Sequence, residues 1–188
     1  MTDHDAMKNW IAACDEATPL DLVIANAGIS GGGPDGAAVE TIFSINIGGV
    51  LNTVLPALEA MQQRSAGQMA IMSSRASFRG LPGAPAYSAS KAAVRTWGEA
   101  LRTRHKADGI AISVICPGSV VSQITDRNDF PMPLPMSADR AVRIIRHGLA
   151  RNQARITFPY SMYVGSRLLA ALPPALGDRL LKRFSWKE

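Results

Sequence analysis

Short apolar runs alternate with longer helical segments along the chain, and this alternation limits the folds that it can adopt. Runs with the length and composition of buried strands lie at 20–25, 68–72, 111–116 and 155–158. Apolar residues at helical spacing predict helices over 36–61, 84–106 and 136–150. This order is typical of an α/β fold with a doubly wound parallel sheet, which carries helices on both faces.

Both ends of the chain are also predicted to be helical. Apolar residues recur at helical spacing from Met7 to Cys14, behind a candidate cap at Thr2. The C-terminal tail, 159–188, has a helical pattern that two adjacent prolines interrupt. At about 150 residues per domain, the chain is expected to form a single domain that ends in this tail.

Composition removes several classes of protein. With 47% hydrophobic residues and two cysteines, the chain is not disordered, collagen-like or a disulfide scaffold. Lys and Arg number 20 against 15 Asp and Glu, a net charge of +5, but the basic residues are scattered and aromatic residues are sparse. We therefore expect no nucleic-acid partner, and we predict no metal site.

Compartment and membrane association follow from the same inspection. No apolar run approaches the roughly 18 residues that a membrane span needs, and the residues after Met1 lack the features of a secretory signal. The expected location is the cytoplasm. Cys14 and Cys116 are expected to be reduced, buried thiols, because they form no CxxC motif and no cysteine framework.

Ligands of parallel sheets bind beyond the carboxyl ends of the strands, which directs attention to residues 26–28, 73–74 and 117–122. Tyr87 and Lys91 stand four residues apart on a predicted helix, so they share one face. A nearby lysine charge favours the phenolate, which lowers the pKa of a tyrosine and makes it a usable proton donor or acceptor. Ser74, thirteen residues before Tyr87, is placed to offer a hydroxyl to the same substrate oxygen.

With these residues the sequence resembles the short-chain dehydrogenase/reductase family from Leu20 to about Phe158. The resemblance implies a Rossmann-like sheet and hydride transfer between NAD or NADP and a small-molecule carbonyl or alcohol substrate. The matching motifs are Asn26-Ala27-Gly28, Asn46 within Ser44-Ile45-Asn46-Ile47-Gly48, Ser73-Ser74, Tyr87-Ser88-Ala89-Ser90-Lys91 and Pro117-Gly118.

The same resemblance assigns roles to individual residues. Tyr87 is implied to be the general acid/base, and Ser74 to orient and polarise the substrate. Lys91 is implied to hold the nicotinamide ribose while lowering the pKa of Tyr87, and Asn46 to anchor a water in the proton relay. Residues implied to support the sheet or to line the cofactor are Asn26, Ala27, Gly28, Tyr87, Lys91, Pro117, Gly118, Val120 and Ser122, the last at a position where the family commonly has threonine.

Each assignment has a structural alternative. Tyr87 and Lys91 are also explained as an exposed pair on a surface helix, and Asn46 as a polar residue inside a helix that bonds to backbone. Ser73 is expected to be structural. The joint occurrence of the family motifs in one register favours the catalytic interpretation.

One family motif is missing. The family places a Gly-x-x-x-Gly-x-Gly turn after its first strand, where backbone N–H groups hold the cofactor pyrophosphate, and no predicted strand here is followed by one. Gly31, Gly33 and Gly36 spell Gly-x-Gly-x-x-Gly. We interpret them as a loop, because no strand with an acidic end lies about 20 residues further on.

The missing motif indicates an N-terminally truncated sheet. In the family's register, Met1 lies at the end of the third strand, and the family's strands 4-5-6-7 are retained. At about 30 residues per strand–helix–strand unit, roughly 60 residues are then absent. The strand at 20–25, central in the family, becomes an apolar edge, and the chain alone is expected to bind dinucleotide poorly.

Three functional interpretations follow. The chain is a shortened oxidoreductase of the family, or a catalytically inactive fragment that acts as a binding or assembly module, or a protein that the tail at 160–184 anchors to a membrane interface. For the tail, a helix that covers the core or contacts a second subunit is favoured. The segments 36–61 and 84–106 correspond to the family's subunit-pairing helices, so we expect a homo-oligomer. Apolar residues within 122–136 favour a hydrophobic substrate.

Overall fold

Four parallel strands form a sheet in the computed structural model, which describes residues 1–30, 36–121 and 135–183. The strands lie side by side in chain order. They are β1 (Leu22–Ala25), β2 (Gly67–Met72), β3 (Ile110–Pro117) and β4 (Arg155–Phe158). Each predicted strand is confirmed, with bounds that differ by at most two residues. The carboxyl ends of all four strands lie at one edge of the sheet, because every neighbouring pair is parallel.

Helices precede, connect and follow the strands, as the alternating pattern predicts. They are α1 (His4–Ala17), α2 (Gly36–Phe43), α3 (Gly49–Arg64), α4 (Pro85–Arg104), α5 (Ala138–Ala150), α6 (Tyr160–Ala171) and α7 (Pro174–Arg183). A π-helical turn, Ser44–Gly48, joins α2 to α3, and a 3-10 turn, Arg75–Ser77, follows β2.

The sheet is covered by helices on both faces. Along β2, Met69 and Ile71 belong to the apolar cluster with α1, α3 and α4, whereas Ala70 belongs to the cluster with α5. Successive strand residues point to opposite faces, so these two clusters lie on opposite sides of the sheet. The predicted doubly wound α/β architecture is therefore confirmed.

One local prediction about helices is wrong. Asp3, not Thr2, caps α1, and its carboxylate accepts a hydrogen bond from the Ala6 N–H at 2.9 Å. The helix therefore begins one residue later than expected, and a carboxylate caps a helix N-terminus as well as a hydroxyl does. The predicted helix over 36–61 is confirmed, because residues 36–64 are helical throughout. It contains the π-helical turn, which adds residues per turn without disturbing the apolar spacing on either side.

Strand β1 lies at an edge of the described sheet, as expected. Val23 and Ala25 are buried, while Leu22 and Ile24 are 41% and 46% exposed. The edge therefore presents apolar side chains on one face. Of the two cysteines, Cys116 is buried as predicted, but Cys14 is only partly buried, which corrects that expectation.

The tail packs on the body of the protein through its last helix. Leu181 is buried, and Asp178 forms an ion pair with Arg79 at 2.9 Å. Separately, the helical stretch Ala37–Arg64 is long and apolar enough to cross a membrane by length and composition, although 44% of its most apolar window is buried in the fold. Core helices of water-soluble proteins pass the same test.

Candidate active site

The carboxyl ends of β1 and β2 and the first turns of α4 meet at one edge of the sheet. Ser73 connects them, because its Oγ donates a hydrogen bond to the backbone oxygen of Lys91 at 2.8 Å. Its N–H also donates to the Ile115 carbonyl at 2.8 Å, and the side chain is buried. Ser73 is thus the structural residue that the sequence predicts, and it fixes α4 against β2.

Ser74 is held by the turn that it starts. Its Oγ accepts a hydrogen bond from the Ala76 N–H at 3.1 Å and so caps the 3-10 turn. A hydroxyl that accepts one hydrogen bond keeps its own proton to donate. Ser74 is therefore a fixed hydroxyl donor, and it also interacts with the side chain of Tyr87.

Tyr87 and Lys91 lie one turn apart on α4, with the Lys91 Nζ 5.9 Å from the centre of the Tyr87 ring. Lys91 is 3% exposed, and its Nζ donates to the Met72 carbonyl at 3.1 Å. Tyr87 is partly buried. The alternative of an exposed surface pair is therefore wrong.

Burial shifts both groups toward their neutral forms. It raises the pKa of Tyr87, while the interaction with Ser74 acts in the lowering direction. It lowers the pKa of Lys91 to about 8. Contrary to the prediction, the pKa of Tyr87 is not lowered overall, because loss of water around the phenol dominates. Tyr87 is consequently a protonated phenol at neutral pH.

Asn46 lies in the π-helical turn and is fully buried. Its Oδ1 accepts from the Ile29 N–H at 2.8 Å, and its Nδ2 donates to the Ile29 carbonyl at 2.9 Å and to the Ser90 Oγ at 3.0 Å. The Ser90 hydroxyl in turn donates to the Tyr87 carbonyl at 2.8 Å. Asn46 therefore ties the segment after β1 to the helix that carries Tyr87.

The segment after β1 approaches this network closely at Gly28. A Cβ atom at Gly28 would lie 2.9 Å from the Lys91 Nζ and 3.0 Å from the Asn46 Oδ1. Only a residue without a side chain fits there without displacing these groups. The neighbouring Ala27 is partly buried, whereas Asn26 is exposed and makes no hydrogen bond to the described part of the chain, so its assigned role in supporting the sheet is not seen.

The remaining predicted residues follow β3. Pro117 is the last residue of that strand, and the Gly118 N–H donates to the Phe158 carbonyl at 2.7 Å. Val120 forms a bridge with Met136. Ser122, the loop with Gly31 and Gly33, and most of the proposed substrate loop at 122–136 lie outside the described residues. The structure thus brings Gly28, Asn46, Ser74, Tyr87 and Lys91 together.

Sequence reasoning missed two residues of this network. Ser90 lies inside the Tyr-x-x-x-Lys motif, and its helical position next to Tyr87 was the available signal. Ile29 contributes only backbone groups, which no side-chain pattern reveals. Within residues 1–30, 36–121 and 135–183, no group of three or more His, Cys, Asp or Glu is arranged to hold a metal ion.

Comparison with known proteins finds similarity along nearly the whole chain. The profile of the family described as "short chain dehydrogenase" matches residues 1–130. An uncharacterized oxidoreductase of Myxococcus xanthus is 39% identical over 190 residues, which cover 97% of this chain and 74% of that protein. An uncharacterized oxidoreductase of Mycobacterium tuberculosis is 31% identical over 192 residues, with 98% and 74% covered.

A solved structure shares the fold. The short chain dehydrogenase from Burkholderia cenocepacia in complex with NADP superposes with a TM-score of 0.82, over 96% of this chain and 77% of that chain, at 23% sequence identity. The four-stranded parallel sheet and its flanking helices are thus those of a Rossmann-like fold.

Proposed function

The chain belongs to the short-chain dehydrogenase family of oxidoreductases, and from that premise we propose that it transfers a hydride between NAD or NADP and a carbonyl or alcohol substrate. One observation carries the proposal. The Ser74 hydroxyl, the Tyr87 phenol and the buried Lys91 ammonium converge at the carboxyl edge of the sheet, where Ser74 interacts with Tyr87 and Lys91 keeps protons for a ligand. The comparisons favour this function over a binding or assembly module.

The residues present fit the nicotinamide ribose of such a cofactor. An ammonium group has three protons, and within the described residues one of those on Lys91 is used, by the Met72 carbonyl. The others are free for the ribose hydroxyls. Gly28 leaves space beside the Lys91 Nζ that a Cβ atom would fill. The proposed roles of Pro117, Gly118 and Val120 beside the nicotinamide follow from their place at the end of β3.

When bound, the nicotinamide supplies or accepts the hydride. In carbonyl reduction, Ser74 donates a hydrogen bond to the substrate oxygen, and the Ala76 N–H keeps the Ser74 hydroxyl in place. Tyr87 gives its proton to the same oxygen as negative charge develops there. The raised pKa of Tyr87 keeps the phenol protonated for this step at neutral pH. In alcohol oxidation the phenolate of Tyr87 takes the proton back.

Lys91 is proposed to act on both the cofactor ribose and Tyr87. With a pKa of about 8, it is largely charged at neutral pH, so its ammonium holds the ribose and stabilises the phenolate that Tyr87 forms. Asn46 and Ser90 position α4 relative to the segment after β1. The role of Asn46 as the anchor of a relay water is part of the proposal.

The proposed cofactor is supported by the Burkholderia cenocepacia structure, whose description names NADP. Because the sequence has no Gly-x-x-x-Gly-x-Gly turn, we expect weak dinucleotide binding, with saturation on the order of millimolar rather than micromolar concentrations. Turnover is therefore to be measured with cofactor at millimolar concentration.

The test is oxidation of NADPH by the full chain with a panel of aldehydes, ketones and oxo acids, followed by absorbance. The variants are Tyr87→Phe and, as a matched control, Tyr160→Phe, whose side chain is 71% exposed. Loss of the general acid is expected to lower kcat/KM by roughly 10²- to 10⁴-fold in Tyr87→Phe, with no change in Tyr160→Phe. Equal rates in the two variants, or no turnover with any carbonyl, would overturn the proposal.

A further inference from the structure

Arg75 directly follows Ser74 and is the first residue of the 3-10 turn that Ser74 caps. Its guanidinium lies against the β3–β4 side of the site, because a Cβ atom at Gly118 would be 3.7 Å from the Arg75 Nε. Lys91 and Gly28 lie on the other side of Ser74, toward β1. The Arg75 side chain therefore lies on the side of the site away from the proposed ribose contacts.

The guanidinium of Arg75 has no anionic partner within the described residues. Its Nε is buried without a hydrogen-bond acceptor, and its terminal nitrogens make no hydrogen bond or ion pair to the described part of the chain. Other partly buried arginines behave differently. Arg64, Arg79, Arg95 and Arg155 each have a carboxylate within ion-pair distance, although the Nε of Arg95 is also buried without an acceptor. Arg102 donates to the Ile112 carbonyl and to Asn152 instead.

Burial makes this lack of a partner energetically unfavourable. It lowers the pKa of Arg75, because the charged form has lost part of its water. A desolvated charge is stabilised when an opposite charge with hydrogen-bond acceptors replaces the water. The planar guanidinium matches a carboxylate in geometry and binds it through two hydrogen bonds.

Within residues 1–30, 36–121 and 135–183, no carboxylate forms an ion pair with Arg75. Arg95 and Arg155 share one carboxylate, Glu99, and Arg167 lies over the Phe78 ring with its Cζ 5.9 Å from the ring centre. Among the described residues, the cluster around Phe78 therefore holds three guanidinium groups and one carboxylate, and this net positive charge favours an anionic ligand.

We propose that Arg75 binds a carboxylate of the substrate, so that the site prefers oxo acids and hydroxy acids to neutral ketones and alcohols. The inference rests on the proposed function, since it names the substrate class of that same site. It differs from the expectation of a purely hydrophobic substrate.

The test compares matched acids and esters. The full chain is assayed with NADPH and benzoylformate, benzoylacetate or 3-benzoylpropionate, and with the methyl ester of each, so that the carboxylate stands at different distances from the ketone. A charge-assisted hydrogen bond predicts an acid preference in kcat/KM of roughly tenfold or more for at least one pair. Arg75→Gln is expected to abolish the preference by raising KM for the acid, and Arg75→Lys to retain part of it.

Arg79→Gln is the matched control, because Arg79 lies in the same segment and already pairs with Asp178. It should leave the acid-to-ester ratio unchanged. If Arg75→Gln lowers kcat/KM equally for acids and esters, Arg75 is structural and the proposal fails. If Arg75→Gln instead raises KM for NADPH alone, the residue holds a cofactor phosphate, and the proposal fails as well.

A binding measurement separates this proposal from the proposed function. Calorimetric titration with the three acids and with their esters is expected to show tighter binding of at least one acid to the wild type than to Arg75→Gln, whether or not turnover occurs. Acid-selective, Arg75-dependent binding without turnover would refute the hydride transfer and leave the carboxylate site standing. Equal affinity of acids and esters for the wild type would refute the carboxylate site.

Discussion

Two clusters of side chains involve α4, and they differ in how their charges are satisfied. The first is Tyr87 with Lys91, and the second is Arg95 and Glu99 with Arg155 of β4. In the first, the buried Lys91 ammonium has the Met72 carbonyl as its acceptor. In the second, Glu99 accepts from the Arg95 Nη1 at 3.2 Å and from the Arg155 Nε at 2.9 Å. The charges of the second cluster are paired with one another within the fold. In the first cluster, the Lys91 ammonium keeps protons that can bind a ligand.

Acid–base behaviour follows the same division. The pKa of Arg155 is raised: burial opposes its charge, but hydrogen bonds to Glu99 and Tyr163 outweigh that effect. Burial lowers the pKa of Lys91 to about 8 and lowers that of Arg75. Charges that stabilise the fold and charges held for a ligand are thus distinguished by their partners and not by their burial.

Removing the charge of Lys91 tests the first cluster most strongly. Lys91→Met is expected to lower kcat/KM by on the order of 10²-fold or more, because an oriented cation beside the developing phenolate is lost. The melting temperature at pH 7 should not fall. Burying the charge disfavours folding by about 3 kcal/mol, as the pKa drop from 10.5 to about 8 implies, and methionine removes that penalty.

The pH dependence of stability checks this reasoning. Between pH 8 and 10.5 the unfolded chain holds the Lys91 proton more tightly than the folded chain, so wild-type stability from this residue rises with pH across that window. Lys91→Met should lack this rise. A variant destabilised by more than about 2 kcal/mol at pH 7 would place Lys91 in the structural class.

Neutralising the second cluster should have the opposite outcome. Glu99→Gln leaves Arg95 and Arg155 without their shared carboxylate, which predicts a loss of about 2 kcal/mol in the free energy of unfolding, since the cluster is only partly buried. The kcat/KM of the folded protein should stay at the wild-type value. Denaturant unfolding and the NADPH assay measure the two quantities, and a loss of activity without a loss of stability would break the comparison.

A change of pH is expected to alter the rate of carbonyl reduction less than the Lys91→Met substitution does. Above pH 8, Lys91 loses its charge while Tyr87, with its raised pKa, stays protonated. The rate should therefore fall, approaching about tenfold per pH unit, and the descending limb should be absent from the residual activity of Lys91→Met. A limb of equal position in that variant would assign the titration to another group.

The smallest effect is expected at the Arg79–Asp178 pair of the tail. The Asp178 side chain is 63% exposed, and exposed ion pairs contribute about 0.5 kcal/mol or less. Asp178→Asn should therefore leave both unfolding and turnover nearly unchanged, and it serves as the baseline for Glu99→Gln. A loss of stability as large as that of Glu99→Gln would show that the shared carboxylate of the second cluster contributes no more than an ordinary exposed ion pair.

The pattern of apolar residues predicted the fold. Strands that are buried on both faces must be apolar, and the helices that cover them must be apolar on one side. All four strands are confirmed on this ground. The π-helical turn around Asn46 was not predicted, because the apolar spacing before and after it is the same for a π-helical turn as for a regular α-helix. The cap at Asp3 escaped because Thr2 and Asp3 are both good N-cap residues.

The candidate site was predicted as a set of positions but not as an environment. Spacing places Tyr87 and Lys91 on one face of α4, and the structure agrees. Spacing does not show that both lose water or that the Lys91 Nζ is directed to the Met72 carbonyl, so the predicted direction of the pKa of Tyr87 was wrong. Arg75 was missed for the same reason, since only the folded chain shows that its Nε is buried without an acceptor.

The central claim is that the first cluster delivers a proton while the nicotinamide delivers the hydride. The most direct measurement uses NADPH with deuterium at both positions of carbon 4 of the nicotinamide, with a ketone that the wild type reduces, and mass spectrometry of the alcohol. Deuterium on the carbinol carbon with the wild type, and its near absence with Tyr87→Phe over the same time, is the predicted result. Alcohol formed without deuterium, or equal labelling by both proteins, would contradict the claim.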